Sequence, residues 1–179
     1  MRFFKHAVIA LLFCNAVAHA NPVPAEPAVE PALAAQFMGK LQDVGRETGT
    51  MTTRLVTTAM GLIGVPYRFG GNSVETGLDC SAFVRTVYEQ TLGLVLPRRA
   101  AEQAKVTESI PKDELQPGDL VFFNTMRRAF SHVGIYIGDG KFIHSPRAGQ
   151  SVRVEDMTKA YWAKRYNGAS RVEPEAALR

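Results

Sequence analysis

One stretch of the chain combines a helix start with a strong helical hydrophobic pattern. The apolar side chains that recur at helical spacing are Phe83, Val84, Val87, Tyr88 and Leu92. This spacing places them on one face, so the pattern predicts a helix that packs on a core. Asp79 suits an N-cap, and Leu78 with Phe83 suits a hydrophobic staple. Cys80 is therefore predicted to be the first helical residue.

Two further helical patterns precede this stretch. The first is a short amphipathic pattern formed by Leu33, Phe37, Leu41 and Val44. We expect that helix to dock on the surface of the domain. The second covers Thr52–Leu62 and begins the folded domain. A breaker, a short strand and a glycine turn over Gly64–Asn72 then lead toward Cys80.

The hydrophobic pattern changes from about Leu115 onward, where the period becomes two. This period predicts strands at Leu120–Phe123, His132–Ile137, Lys141–Ser145, Val152–Val154 and Ser170–Val172. The segment Glu155–Tyr166 is expected to form a helix or loop. Helices followed by a run of mainly antiparallel strands indicate an α+β fold rather than alternating βαβ units.

The N-terminal segment has the organisation of a secretory signal peptide. A basic start precedes an apolar run over 7–14, and small residues at 18–20 offer a cleavage site after Ala20. The run is short for a membrane span, so export and cleavage are favoured over an anchor. The bulky Phe13 argues against lipidation of Cys14. We predict a signal peptide at 1–20, a Pro/Ala-rich linker with the short helix at 21–50, one domain at 51–172 and a disordered tail at 173–179.

Composition and charge narrow the functional classes. The chain has 179 residues, of which 46% are hydrophobic and 21% charged, as in ordinary globular proteins. Removal of the signal lowers the formal net charge from +4 to +2, because Arg2 and Lys5 are lost. This charge is too small and too scattered for a nucleic-acid partner. It is compatible with work near an anionic cell wall.

The same cleavage leaves one cysteine, Cys80, and two histidines, His132 and His144. An exported protein with one cysteine forms no internal disulfide, so Cys80 is either inert and buried or retained for its reactivity. At a helix start, unpaired backbone N–H groups and the helix dipole favour the thiolate. We therefore interpret Cys80 as a nucleophile, with a small buried hydrophobe as the alternative.

Loop length decides whether the two histidines can meet across their hairpin. A two-residue loop at Asp139 and Gly140 would direct them to opposite faces, because side chains alternate along strands. A three-residue loop over Gly138–Gly140 pairs Ile137 with Lys141 and Gly134 with His144, and the two imidazoles then share a face. Glycine at the last loop position suits the second arrangement, which we predict.

Two histidines facing a cysteine at a helix start supply the parts of a thiol hydrolase. His132 is the candidate base for the thiol proton, and His144 is the candidate residue that orients it. The backbone N–H of Cys80 is a candidate oxyanion donor. As alternatives, either histidine is a structural residue, or the three side chains hold zinc. Nothing in the spacing favours a metal, so we do not expect a zinc site.

These residues fall within a set of ordered motifs that covers about Thr52 to Val172. The motifs are GVPYRFGG at 64–71, LDCSAFV at 78–84, LPR at 96–98, QPGDLVFF at 116–123, HVGIYIG at 132–138 and FIH at 142–144. Together they closely resemble the NlpC-type cell-wall cysteine peptidases. The closing YWAKRY at 161–166 is similar to the Spr (MepS)-like branch of murein endopeptidases.

The resemblance implies a papain-like α+β fold and hydrolysis of peptide bonds in peptidoglycan stem peptides or crosslinks, without metal or organic cofactor. It supports Cys80, His132 and His144 as the catalytic residues. It also implies a catalytic domain at 51–172. Spr-like relatives are commonly lipoproteins, whereas the signal-peptide pattern of this chain predicts cleavage after Ala20 and a soluble monomer in the periplasm or cell envelope.

The resemblance also places three further residues, Tyr67, Asp79 and Ser81, around the substrate cleft. Their structural alternatives are a core aromatic, an N-cap and a first-turn helix residue. Two other functions stay open for the chain as a whole. One is a noncatalytic murein-binding or regulatory module, and the other is a related amidase or acyltransferase that uses the same residues.

Overall fold

The computed structural model describes residues 49–173. The predicted signal peptide, the linker with its short helix up to residue 48, and all but the first residue of the predicted tail lie outside these residues. In the described range, no helix combines the length and the apolar character that a membrane span requires.

Helices occupy the first half of the described range and strands most of the second. The helices are α1 at 49–61, α2 at Cys80–Leu92, α3 at Ala100–Val106 and α4 at Ala160–Ala163, with a 3₁₀ turn at Lys112–Glu114. The strands are β1 at Asn72–Ser73, β2 at Gly77–Leu78, β3 at Glu108–Ile110, β4 at Leu120–Phe123, β5 at His132–Gly138, β6 at Lys141–His144, β7 at Arg153–Asp156 and β8 at Tyr166–Arg171.

The main sheet is antiparallel throughout and runs in the order β3-β8-β4-β5-β6-β7. Strands β1 and β2 form a separate small ribbon just before α2. Helix α2 packs against β5, so the helical layer covers the middle of the sheet. The predicted α+β class is confirmed.

Helix α2 begins where the sequence predicts. Asp79 is its N-cap, and one carboxylate oxygen accepts a hydrogen bond from the backbone N–H of Ala82 at 2.9 Å. Leu78 and Phe83 are fully buried in the same core cluster, as the predicted staple requires. The helix ends at Gly93, whose left-handed backbone (φ 71°) closes the last turn.

Strand β4 is buried on both faces, which the predicted alternation of apolar and polar residues does not anticipate. Leu120 and Phe122 pack with the helices, whereas Val121 and Phe123 pack with Phe142 and Trp162 on the other side. The second apolar layer exists because α4 and the segment leading to it fold back over that face. It surrounds the histidines with aromatic rings.

The β5–β6 hairpin corrects the predicted three-residue loop. Gly138, not Ile137, pairs with Lys141, so the loop has two residues, Asp139 and Gly140, with φ of 51° and 69°. Positive φ at both positions is the requirement of a type I′ turn, which asparagine-like residues followed by glycine meet well.

A bulge next to this loop restores the predicted relation between the histidines. The register shifts between Tyr136 and Gly138, so Ile137 is an extra residue on β5 and Ile135 pairs with Ile143. One further step along this register brings Gly134 opposite His144. The expected shared face is therefore correct, although it comes from a two-residue loop plus a bulge.

Candidate active site

A cleft of about 1330 Å³ opens where α2 and β5 begin. The sequence-predicted site residues that line it are Tyr67, Asp79, Cys80, Ser81 and His132. The sixth, His144, is fully buried behind His132 and does not reach the cleft. The structure therefore brings all six together in one region, five of them at the surface of a single cavity.

Cys80 is held at the first turn of α2 and is partly exposed to the cleft. Its sulfur faces the backbone N–H groups of Cys80 itself, Ser81 and Val133. Val133 follows His132 directly on β5, so this contact joins the helix start to the strand that carries the imidazole. The thiol thus lies among backbone donors beside the predicted base.

The protonation state of Cys80 differs from the sequence-based expectation of a favoured thiolate. Burial of the sulfur, assisted by the negative charge of Asp79, raises the pKa of the thiol from 9.0 to about 11. The three backbone N–H groups lower the pKa, but by less than burial raises it. The resting nucleophile is therefore a neutral thiol.

Asp79 and Ser81 belong to a polar cluster that is centred on Arg98. The two guanidinium nitrogens of Arg98 donate to the two carboxylate oxygens of Asp79 at 2.9 and 2.6 Å. Arg98 Nη1 also donates to Ser81 Oγ at 3.1 Å, and Nη2 donates to the carbonyl oxygen of Gly71 at 3.3 Å. This bidentate pair fixes the N-cap carboxylate one residue before the thiol.

Tyr67 approaches the thiol from the segment before β1. Its backbone forms a parallel β-bridge with Leu78. Its backbone N–H donates a hydrogen bond to the carbonyl oxygen of Gln150 at 2.8 Å. Burial, then Cys80 and the negative charge of Asp79, raise the pKa of the phenol, and the nearby Arg98 only partly opposes this shift. The hydroxyl therefore keeps its proton and remains a hydrogen-bond donor in the cleft.

The two imidazoles form a direct hydrogen bond. Nε2 of His132 lies 2.6 Å from Nδ1 of His144, and the rings meet edge to face. Burial lowers the pKa of His132 from 6.5 to about 4, although the charges of Glu155 and Asp79 oppose this shift. Burial, then His132 and Arg153, lower the pKa of His144 well below its ordinary value. Both rings are neutral at neutral pH.

Trp162 packs on both histidines. Its indole stacks on His132 at a centroid distance of 5.7 Å and meets His144 edge to face at 5.0 Å. The indole Nε1 donates to Glu155 Oε2 at 2.5 Å. The other carboxylate oxygen, Oε1, accepts a hydrogen bond from Arg153 and lies 3.8 Å from His144 Nε2. An aromatic wall and a charged pair therefore surround the histidines.

The sequence-based site missed Arg98, Trp162 and Glu155. Arg98 lies in the LPR motif at 96–98 and Trp162 in the YWAKRY motif at 161–166, but neither motif alone indicates a contact with the site. Glu155 falls in no such motif, and only the pairing of β6 with β7 brings it to His144. Within residues 49–173, no group of three or more His, Cys, Asp or Glu side chains has the geometry of a metal site.

Comparison with protein families gives a match over residues 64–171 to the NlpC/P60 family. The chain is similar to the murein DD-endopeptidase MepH of Escherichia coli K12, with 40% identity over 145 residues, which are 79% of this chain and 54% of the relative. It is also similar to the murein DD-endopeptidase MepS/murein LD-carboxypeptidase of the same strain, with 43% identity over 109 residues, 61% of this chain and 56% of the relative.

A third relative is the gamma-D-glutamyl-L-lysine dipeptidyl-peptidase of Bacillus subtilis 168, with 37% identity over 123 residues, 68% of this chain and 40% of the relative. The aligned regions thus span about half the length of these curated relatives or less. The expected similarity to Spr (MepS)-like murein endopeptidases is confirmed.

Among solved structures, the fold is similar to an NlpC/P60 family protein from Bacillus cereus ATCC 10987. The two share 38% identity with a TM-score of 0.62, over 67% of this chain and 39% of that chain. The family match covers more than half of the sequence and includes the helix start, both histidines and the strands that carry them. The chain therefore belongs to the NlpC/P60 family.

Proposed function

We propose that the protein is a peptidoglycan endopeptidase that hydrolyses peptide bonds in cell-wall stem peptides or crosslinks through a thioester on Cys80. The observation that carries this proposal is the placement of the Cys80 thiol. It faces the backbone of Val133, next to an imidazole that is hydrogen bonded to a second imidazole. This arrangement supports nucleophile, base and orienting residue in the roles of Cys80, His132 and His144.

Cys80 and His132 are both neutral before the reaction, so the first step must include a proton transfer between them. As the sulfur attacks the substrate carbonyl, the thiol proton moves to His132, and its new positive charge is stabilised by Glu155 and Asp79. The negative charge on the carbonyl oxygen is stabilised by the backbone N–H of Cys80 and the protonated hydroxyl of Tyr67. His132 then returns its proton to the leaving amine, which departs as the thioester forms.

The second step consumes water. His132, neutral again, takes a proton from a water molecule that attacks the thioester carbonyl. The carbon–sulfur bond breaks, the sulfur regains a proton, and a carboxylic acid is released. No step in this sequence requires a metal ion or an organic cofactor.

The charge of the cleft supports an acidic peptide substrate. The exposed basic residues that line it are Arg99, Lys105, Arg128, Arg147 and Lys159. Stem peptides carry several carboxylates, which such side chains attract. We assign Asp79 and Ser81, which Arg98 holds in place, and Tyr67 to substrate binding at the same cleft. The protein then acts as a monomer after export to the periplasm or cell envelope.

Two bond types are compatible with the relatives. One is the crosslink that a murein DD-endopeptidase cuts, and the other is the γ-D-glutamyl bond in the name of the Bacillus subtilis relative. Digestion of purified peptidoglycan, with the fragments identified by mass spectrometry, distinguishes them because the two cuts release different masses. Wall binding by both the parent and Cys80→Ala, with no fragments from either, would instead identify a noncatalytic binding module.

A further inference from the structure

His144 carries a buried polar atom without a hydrogen-bond partner in the described chain. The side chain is 0% exposed, and its Nδ1 is engaged by His132 while its Nε2 makes no hydrogen bond. An unsatisfied buried donor is costly, so such an atom calls for an explanation. The carboxylate of Glu155 is the group within ion-pair distance, with Oε1 at 3.8 Å from this nitrogen.

The positions of the ring hydrogens on His132 and His144 explain why Glu155 lies near this nitrogen. If His132 is to accept the thiol proton on Nδ1, its Nε2 must carry a hydrogen and donate it to His144 Nδ1. His144 Nδ1 is then an acceptor, and the hydrogen of that ring must be on Nε2. This is the nitrogen that faces Glu155. The tautomer that the chemistry needs is therefore the one that a carboxylate at this position favours.

We propose that Glu155 is a positioning residue that holds His144 in the Nε2–H tautomer and thereby keeps Nδ1 of His132 free for the thiol proton. The inference rests on the proposed function for its catalytic consequence. The tautomer itself is a property of the folded protein. A separation of 3.8 Å is longer than a hydrogen bond, and catalytic contacts of this kind shorten as substrate binds.

The surroundings of Glu155 hold the carboxylate ready for this role. Strand pairing places Glu155 opposite Phe142 and Arg153 opposite His144, so both β7 side chains share the face of the imidazole. Trp162 Nε1 donates to one carboxylate oxygen, and Arg153 donates to the other. The charged and titratable groups around Glu155 are therefore Arg153 on its own strand, His144 on β6 and His132 on β5.

Nuclear magnetic resonance of the purified protein with ¹⁵N-labelled histidine tests the inference without any substrate. Long-range proton–nitrogen correlations report which nitrogen of His144 carries the hydrogen. We expect Nε2–H in the parent and in Glu155→Asp, and a mixture or Nδ1–H in Glu155→Gln. A parent protein with Nδ1–H on His144 overturns the inference, and this outcome requires no variant to fold.

Steady-state kinetics of Glu155 variants on peptidoglycan provide a second test of the inference. We expect Glu155→Gln to lower kcat by about tenfold with little change in KM, since one pKa unit at His132 corresponds to that factor. Glu155→Asp should recover part of the loss. The matched control is Glu108→Gln, which removes the same charge from β3 at the opposite edge of the sheet. Parent kcat and parent tautomer in Glu155→Gln contradict the proposal.

The NMR measurement and the kinetic measurement together distinguish a failure of this inference from a failure of the proposed function. If neither the parent nor Glu155→Gln releases fragments from peptidoglycan, the proposed function fails. The tautomer of His144 still decides the positioning role in that case. If the parent cleaves peptidoglycan while His144 carries Nδ1–H, the function stands and the role of Glu155 is overturned.

Discussion

His132 Nε2 and His144 Nδ1 lie 2.6 Å apart across a hairpin whose register contains one extra residue. Without the bulge at Ile137, the two-residue loop would direct the imidazoles to opposite faces of the sheet. The hydrogen bond between the rings therefore depends on backbone packing several residues away. Close contact of the strands at Gly134 is part of the same arrangement.

Gly134 provides a direct test of that packing. A Cβ at this position would lie 2.7 Å from the carbonyl oxygen of Ile143 and 3.1 Å from the Cβ of His144. We expect Gly134→Ala to lower the free energy of unfolding by about 1–3 kcal/mol, because β6 must shift, and to lengthen the contact between the histidines.

Chemical denaturation measures this loss. Gly61→Ala is the control, since a Cβ there meets nothing within 4 Å. It should leave stability unchanged or raise it by up to about 1 kcal/mol, as expected for a glycine in a helix. Equal stability of Gly134→Ala and the parent would show that the strands do not require this close approach.

The buried histidines predict a loss of stability in mild acid. The pKa of His132 is about 4 in the folded protein and near 6.5 in the unfolded chain, so between these values the unfolded chain binds a proton that the native state does not. Stability therefore falls as the pH decreases through this window, by about 3 kcal/mol for His132 alone.

Urea unfolding at pH 7 and at pH 4.5 measures this change. His132→Gln should show a smaller difference between the two pH values than the parent, because Gln does not titrate. A parent protein with equal stability at both pH values would contradict the neutral state of the pair.

The neutral thiol is tested by alkylation of Cys80. In the native protein we expect the rate with iodoacetamide to rise tenfold per pH unit up to pH 10, because the thiol pKa is about 11. In the urea-unfolded protein the rate should level off near the ordinary value of 9.0. A native rate that is already constant between pH 7 and 8 would indicate a preformed thiolate.

Two charges near the thiol should change its reactivity in opposite directions. Asp79 raises the thiol pKa. The Arg98 cation should favour ionisation, because its own pKa is raised by the hydrogen bond to Asp79 and also by the charge of the Cys80 thiolate. At pH 8 we expect Asp79→Asn, which keeps an N-cap, to be alkylated faster and Arg98→Met more slowly, each by about twofold to tenfold. Changes in the same direction would show that the charges are not responsible.

The sequence predicted local features well and distant pairings less well. The start of α2 at Cys80 follows from residues within one turn, so the N-cap and staple were correct. The predicted three-residue loop was wrong, because the histidines share a face through a bulge at Ile137 and not through the length of the loop. Such a bulge depends on how both strands pack, which the turn residues do not encode. Arg98, Trp162 and Glu155 contact the site from other segments, and only the folded chain brings them together.

In the proposed reaction, Cys80 forms a covalent intermediate with a peptidoglycan peptide. The most direct measurement quenches a reaction in acid during turnover and determines the mass of the proteolytic fragment that contains Cys80. We expect an adduct with the mass of the acyl half of the substrate, which hydroxylamine removes, and no turnover by Cys80→Ala. Release of the same fragments by Cys80→Ala at the parent rate would show that Cys80 is not the nucleophile.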